Sequence, residues 1–221
     1  MEIKTIVNSL VDLFFPMRCL DCQEVIQPSQ FLCVSCSTNL AFTHWQFDQN
    51  NIAYSKLRNI CEVENVVALL EFKHHNTTQT ILHEMKYRNR PQIGIDLAQL
   101  IKFDLSDYDG IIPIPLHLKR LKKRGYNQVE YFARTLAENN QINYFSDGLI
   151  RVKYHSSQVN EDKQHRLNNL KNAFEINPNL KPGHYILIDD VLTTGATIAS
   201  AVKQFNFSEN FKISVITIAC A

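Results

Sequence analysis

The sequence predicts an α/β fold, a mostly parallel central sheet flanked by helices, with a small cysteine module ahead of it. Three observations carry this. The run Tyr185-Ile186-Leu187-Ile188 lacks polar alternation, as a strand buried on both faces requires, and it leads through Asp189-Asp190 and a Thr/Gly turn into a helix-like segment, Ile198 to Phe205. Upstream, strand-like runs at Val66–Phe72 and Ile111–Leu116 are separated by amphipathic segments, the pattern of crossover helices in a parallel sheet. Cys19-x-x-Cys22 and Cys33-x-x-Cys36, ten residues apart, form two knuckles near the start of the 221-residue chain.

Each element follows from local pattern. Ile3, Ile6, Val7, Leu10, Val11, Phe14 and Phe15 fall at helical spacing, which predicts an amphipathic helix over 1–16 that ends at Pro16. Its acids and Asn8 argue against a signal peptide, and no apolar run approaches the roughly 20 residues of a membrane span, so a cytoplasmic location is expected. In the module at 17–44, Cys19, Cys22, Cys33 and Cys36 have the spacing of four thiolate ligands to a tetrahedral, structural zinc in a zinc-ribbon-like hairpin. Two disulfides are the rival reading, disfavoured where thiols stay reduced. Residues 45–64, polar through Asp48-Gln49-Asn50-Asn51, read as a linker to a domain spanning 65–221.

That domain opens with the strand at Val66, then a helix from Thr77 to Tyr87 with Ile81, Leu82 and Met85 on one face. Lys86, Arg88 and Arg90 follow at its end, where the helix dipole favours cations in any case. A second helix is expected over Gln92–Phe103, then a strand that exits through Pro113 and Pro115. Lys119-Arg120-Leu121-Lys122-Lys123-Arg124-Gly125 is the most basic run and reads as a hairpin, with Tyr126 and Asn127 beside it. A helix to about Glu138, a short strand at Leu149–Val152, a polar segment over Gln158–Asn172 and a last strand at Lys212–Ala219 complete the chain. With 23 Lys+Arg against 22 Asp+Glu, net charge announces no nucleic-acid partner.

The chemistry concentrates at Asp189-Asp190-Val191-Leu192-Thr193-Thr194-Gly195-Ala196-Thr197. Carboxylates at a strand end can accept from sugar hydroxyls, while a Gly-containing turn with hydroxyls at a helix start can hold a phosphate. The bland reading is a Thr-rich cap on an ordinary strand–helix turn. The stretch resembles the phosphoribosyl pyrophosphate (PRPP) motif of type I phosphoribosyltransferases, which implies that fold. It further implies that the two acids hold the ribose 2′ and 3′ hydroxyls and that Thr193 to Thr197 hold the 5′-phosphate. Together with Pro-Ile-Pro-Leu (113–116), Arg124-Gly125-Tyr126-Asn127-Gln128, and Gln158, Arg166, Asn169, Ala173 and Phe174, the whole chain resembles the ComF family, which joins a cysteine zinc module to a phosphoribosyltransferase-like domain.

The resemblance implies more. Lys86, Arg88 and Arg124 would face a pyrophosphate leaving group, Mg²⁺ would accompany PRPP, and the segment around Gln158–Asn172 would form a small hood. Two departures stand out. Cys61 alone remains of a second cysteine pair that many members carry, so one zinc is expected, and Asn89 stands where members often have Gly. Three functions compete: a phosphoribosyltransferase, with neither acceptor nor general base readable; an accessory factor of DNA uptake and natural competence, its basic run and zinc module contacting single-stranded DNA or a competence helicase; and a PRPP-sensing regulator, for which no helix-turn-helix segment is seen. A dimer stays open.

Overall fold

A computed structural model describes residues 16–27, 30–152, 173–206 and 210–221. The expected helix over 1–16 and the family positions Gln158, Arg166 and Asn169 lie outside them.

Five strands form one sheet: β1 (Val66–Glu71), β2 (Gly110–Pro113), β3 (Asn143–Tyr144), β6 (Gly183–Leu192) and β7 (Phe211–Cys220), in the order β1-β7-β6-β2-β3. Every pairing in it is parallel, as predicted. The central strand β6 shows why its sequence does not alternate. Ile186 and Ile188 enter a core with Ile81, Met85, Leu97 and Phe132, and Leu187 enters the opposite core with Leu57, Ile198, Val202 and Phe205. The first core is roofed by α3 (Thr77–Tyr87), α4 (Gln92–Gln99) and α6 (Glu130–Asn140), and the second by α2 (Ile52–Leu57) and α7 (Ala196–Asn206). Beside the sheet, β4 (Leu149–Arg151) and β5 (Phe174–Ile176) pair antiparallel.

Topology places a crevice at β6. From β2 the chain passes to β3 on one side, and from β6 it passes through α7 to β7 on the other. Such a switch point leaves a gap beyond the carboxyl ends of the two strands. Pairing of β6 with β2 stops at Pro113↔Ile188, whereas pairing with β7 runs on to Leu192↔Cys220. The strand is therefore longer than expected. Asp189 and Asp190 lie within it, opposite β7 but open on the side that β2 has left.

Two local expectations are corrected. Within 45–64, predicted to be linker, α2 buries Ala53 and Leu57 completely. The polar residues ahead of it serve the backbone. Asn51 caps α2 by accepting from the Tyr54 N–H at 2.9 Å and donates to the Val66 carbonyl at 2.7 Å. With Thr43 donating to Leu69 (3.1 Å) and Val66 to Asp48 (3.3 Å), the stretch covers the outer edge of β1, which would otherwise expose unpaired backbone groups. The basic run is not a hairpin but a helix, α5 (Leu118–Arg124), because Lys, Arg and Leu are good helix formers. Gly125 ends it in the left-handed conformation, φ 81°, the role glycine fills just past a helix end.

The cysteine module docks on the first core, where Cys19, Leu32, Cys33 and Leu40 are buried, and Asp21 accepts from Thr77 at the start of α3 (2.8 Å). Its second knuckle departs from a hairpin. Cys33 caps α1 (Val34–Thr38), accepting from the Cys36 N–H at 3.4 Å.

Candidate functional site

The crevice is a cavity of about 590 Å³. Asp189, Asp190, Thr193 and Thr197 line it from β6 and α7, Ile114 to His117 from the exit of β2, Lys119 and Arg120 from α5, Lys86 from α3, Gln128 from the turn before α6, and Arg151 from β4.

The two acids have different partners. Asp190 is 14 % exposed, and its Oδ2 accepts from Lys86 Nζ at 2.8 Å and Gln128 Nε2 at 2.7 Å. Both donors favour the carboxylate. Asp189 accepts only the Asp190 N–H, at 2.8 Å, among the described contacts. Burial first, and the Asp190 charge second, push its carboxyl up to about 7. The carboxyl with no cation bonded to it is thus the one that burial and its neighbour's charge raise.

The turn after β6 is shaped by Gly195. Its φ is +75°, and a Cβ there would lie 2.6 Å from Leu57 Cδ2 and 2.9 Å from Ile60 Cδ1. The sharp turn lets α7 start at Ala196 directly over the crevice, its first helical bond running from the Ala199 N–H to the Gly195 carbonyl (2.8 Å). First-turn N–H groups have no partner inside a helix, and the dipole favours an anion there. Thr193 and Thr197 line the cavity at that end, whereas Thr194 accepts from the Ala196 N–H at 3.4 Å and, like Ala196, is not part of the lining.

Among the cations expected to face a leaving group, Lys86 lies in the cavity and Arg88 and Arg124 do not. Arg88 is 68 % exposed and leans on Glu84 (4.0 Å), which Arg90 also approaches (3.6 Å). Arg88 thus occupies the place of a solvated helix terminus. Arg124 sits over the Tyr87 ring, 5.2 Å from its centroid, and donates to Gln128 Oε1 at 2.7 Å. Tyr126 turns its hydroxyl inward and donates to the Met85 carbonyl. Asn89 takes φ 49°, the backbone a glycine would supply.

Lys119 and Arg120, from the basic run that the resemblance implied could close over a phosphate, line the cavity, as do Gln128 and Arg151. Lys119 and Arg120 were legible as part of the basic run, but not their direction. Arg151 carried no signal. Its placement depends on β4, where it lies over Phe174 (4.9 Å to the ring) and donates to the Pro115 carbonyl (3.3 Å). Burial first, then Arg120, lowers its pKa, the mark of a desolvated cation short of negative partners.

Away from the crevice, the Sγ atoms of Cys19, Cys22, Cys33 and Cys36 lie within 4.8 Å of one another, and Cys22 and Cys33 are 3.6 Å apart. A tetrahedral site with Zn–S near 2.3 Å needs S–S separations of about 3.8 Å, so the cluster is sized for zinc. All four are free thiols rather than disulfides. Among the described residues this is the only group of three or more His, Cys, Asp or Glu that could hold an ion, so no carboxylate cage for Mg²⁺ is present in that set. Cys61, beside α2, is a buried thiol 3.7 Å from the Leu57 carbonyl, its pKa pushed up to about 11 by burial.

No family model matches the chain. It is similar to DNA utilization protein YhgH of Escherichia coli O157:H7, 24 % identical over 197 residues that span 84 % of this chain and 82 % of that protein. The YhgH of Salmonella typhimurium is 30 % identical over 132 residues, 56 % of this chain and 58 % of its own length. Competence protein F of Haemophilus influenzae is 32 % identical over 135 residues, 56 % and 59 %. The chain thus matches little more than half the length of the last two. These relatives bear out the resemblance to the ComF family. Among solved structures it is similar to a glutamine PRPP amidotransferase from B. subtilis (TM-score 0.43, 17 % identity, 62 % of this chain and 30 % of that one). An orotate phosphoribosyltransferase from Aeropyrum pernix gives 0.36, 13 %, 64 % and 76 %. Scores this low bear on neither ligand nor reaction. No described helix is long and apolar enough to cross a membrane.

Proposed function

We propose that the crevice binds a 5-phosphoribosyl diphosphate, PRPP or a close relative, as part of handling DNA during uptake or reuse. The observation that carries this is the convergence, in one cavity, of an acid pair, a helix start with two threonines, and the cations Lys86, Arg120 and Arg151. Diol, 5′-phosphate and diphosphate each find a complementary group. Mg²⁺ would arrive on the diphosphate, since it keeps most of its waters and needs few protein ligands. When bound it would neutralise leaving-group charge. In a transfer, a nucleophilic acceptor would attack the ribose C1 as the bond to pyrophosphate breaks, while the chain's own residues orient the sugar and stabilise the negative charge that pyrophosphate carries away. At the four-cysteine cluster we assign one structural zinc. Calorimetry with PRPP and Mg²⁺ tests the pocket. One site per chain is expected, lost in Asp190→Ala/Thr193→Val while zinc stays near one per chain. Unchanged affinity in that variant would mean that the site lies elsewhere.

A second reading, a non-catalytic factor that holds single-stranded DNA, is favoured by the exposed Lys122 and Lys123 on α5 and by the names of the relatives. Fluorescence anisotropy with a labelled oligonucleotide decides it: binding must weaken steeply with salt, and flat or absent binding sinks it. PRPP turnover over a panel of nucleobases separates an enzyme from a sensor.

A further inference from the structure

We propose that the segment Arg124-Gly125-Tyr126-Asn127-Gln128 is the strut of the crevice, and that Gln128 is the positioning residue that aims Asp190. The proposal rests on the PRPP reading for its effect on ligand, but not for the strut itself.

The side chains of the segment reach three walls of the site. Tyr126 donates to the Met85 carbonyl on α3, one residue before Lys86. Asn127 Nδ2 donates to the Ile114 carbonyl at the exit of β2, at 3.0 Å. Arg124 lies over Tyr87, one residue after Lys86. Gln128, 3 % exposed, reaches Asp190 on β6. Gly125 supplies the reversal this requires, with φ +81° and nothing within 4 Å of where a Cβ would stand; its conformation, not its size, is what matters.

The chemistry of the chain Arg124–Gln128–Asp190 explains why the middle member is a glutamine. A guanidinium can only donate and a carboxylate can only accept. A group buried between them must accept on one side and donate on the other, and a carboxamide does both. The two partners also fix which way the amide points, Oε1 to Arg124 at 2.7 Å and Nε2 to Asp190 at 2.7 Å. Glutamate here would set an acceptor against Asp190. Leucine would leave one of the two Oδ2 donors missing and Lys86 to hold the carboxylate alone. Arg124 therefore acts on the pocket from behind, through Gln128, rather than by touching a ligand.

The test has a ligand-free and a ligand-bound arm. In the free full-length protein, the Gln128 side-chain amide is expected as a resolved, slowly exchanging ¹⁵N–¹H pair that shifts in Arg124→Gln and loses protection in Asp190→Ala. With PRPP and Mg²⁺, Gln128→Leu should bind about tenfold more weakly and Gln128→Glu weaker still. Arg124→Gln should lose about threefold. Gln128→Leu/Arg124→Gln should be no worse than Gln128→Leu alone, because the two residues act in series. A purely structural role would not produce that non-additivity. A Gln128 amide exchanging at solvent rate in the wild type overturns the proposal, as does wild-type affinity in Gln128→Leu. Should the wild type bind no PRPP, the function proposed above fails, and the amide arm alone still decides the strut.

Discussion

Replacing Asp189 by asparagine should make the protein more stable at neutral and alkaline pH. The carboxyl is pushed up from 3.8 to about 7 in the folded chain, by burial first and by Asp190 second. Between those values the native state holds a proton that the unfolded state has released, so stability falls as pH rises through this window and stays reduced above it. At about 1.4 kcal/mol per pKa unit the displacement is worth at most about 4 kcal/mol, some two-thirds of it developing between about pH 5 and pH 8. Asp189 is partly open to cavity water, so about half is expected, roughly 1–2 kcal/mol over that interval. Asparagine keeps the oxygen that accepts from the Asp190 N–H and removes only the charge. Thermal unfolding of the two proteins, without added Mg²⁺ or phosphate, reads this as a gap in Tm that widens by about 2–8 °C from pH 5 to pH 8 in favour of the variant. A constant gap, or one that moves against the variant, would refute the reasoning. Such a gain would also identify the acid as one kept for its ligand at the expense of stability.

Three further outcomes follow from the same geometry. Lys86→Met leaves the partly buried Asp190 carboxylate to Gln128 alone, and should cost about 2–3 kcal/mol at neutral pH in denaturant unfolding and at least tenfold in PRPP affinity. Gly195→Ala forces a Cβ against Leu57 and strains a φ of +75°, and should lose about 1–3 kcal/mol, with the start of α7 displaced. Cys33→Ser removes one thiolate but keeps a cap for α1, so metal analysis should fall from one zinc per chain toward none while the helix cap survives.

The sheet was legible wherever a strand is buried on both faces, because such a strand cannot alternate; β6, β7 and β1 were each read to within a few residues. Helix α3 was equally clear, since Ile81, Leu82 and Met85 keep its period. Helix α2 was hidden because six residues are too short to display a period, and because the polar run before it looks like a loop when it is capping and edge-covering machinery. The basic run was misread because its glycine signals a reversal whether that reversal belongs to a hairpin or follows a helix. At the site, the acids and threonines are contiguous and so were found together. The cations come from α3, α5 and β4, and only the folded chain decides which face the crevice. Lys86 and Arg88 are two residues apart in sequence and on opposite sides of that decision.

The central claim is that a sugar phosphate sits across Asp189, Asp190 and the start of α7. Isothermal titration of the zinc-loaded protein with PRPP and Mg²⁺ at about pH 8, where Asp189 is ionised, tests it most directly. The account predicts one binding site per chain, abolished in Asp190→Ala/Thr193→Val and weakened as pH falls through about 7. No heat of binding from the wild type, or the same affinity in the variant, would contradict it.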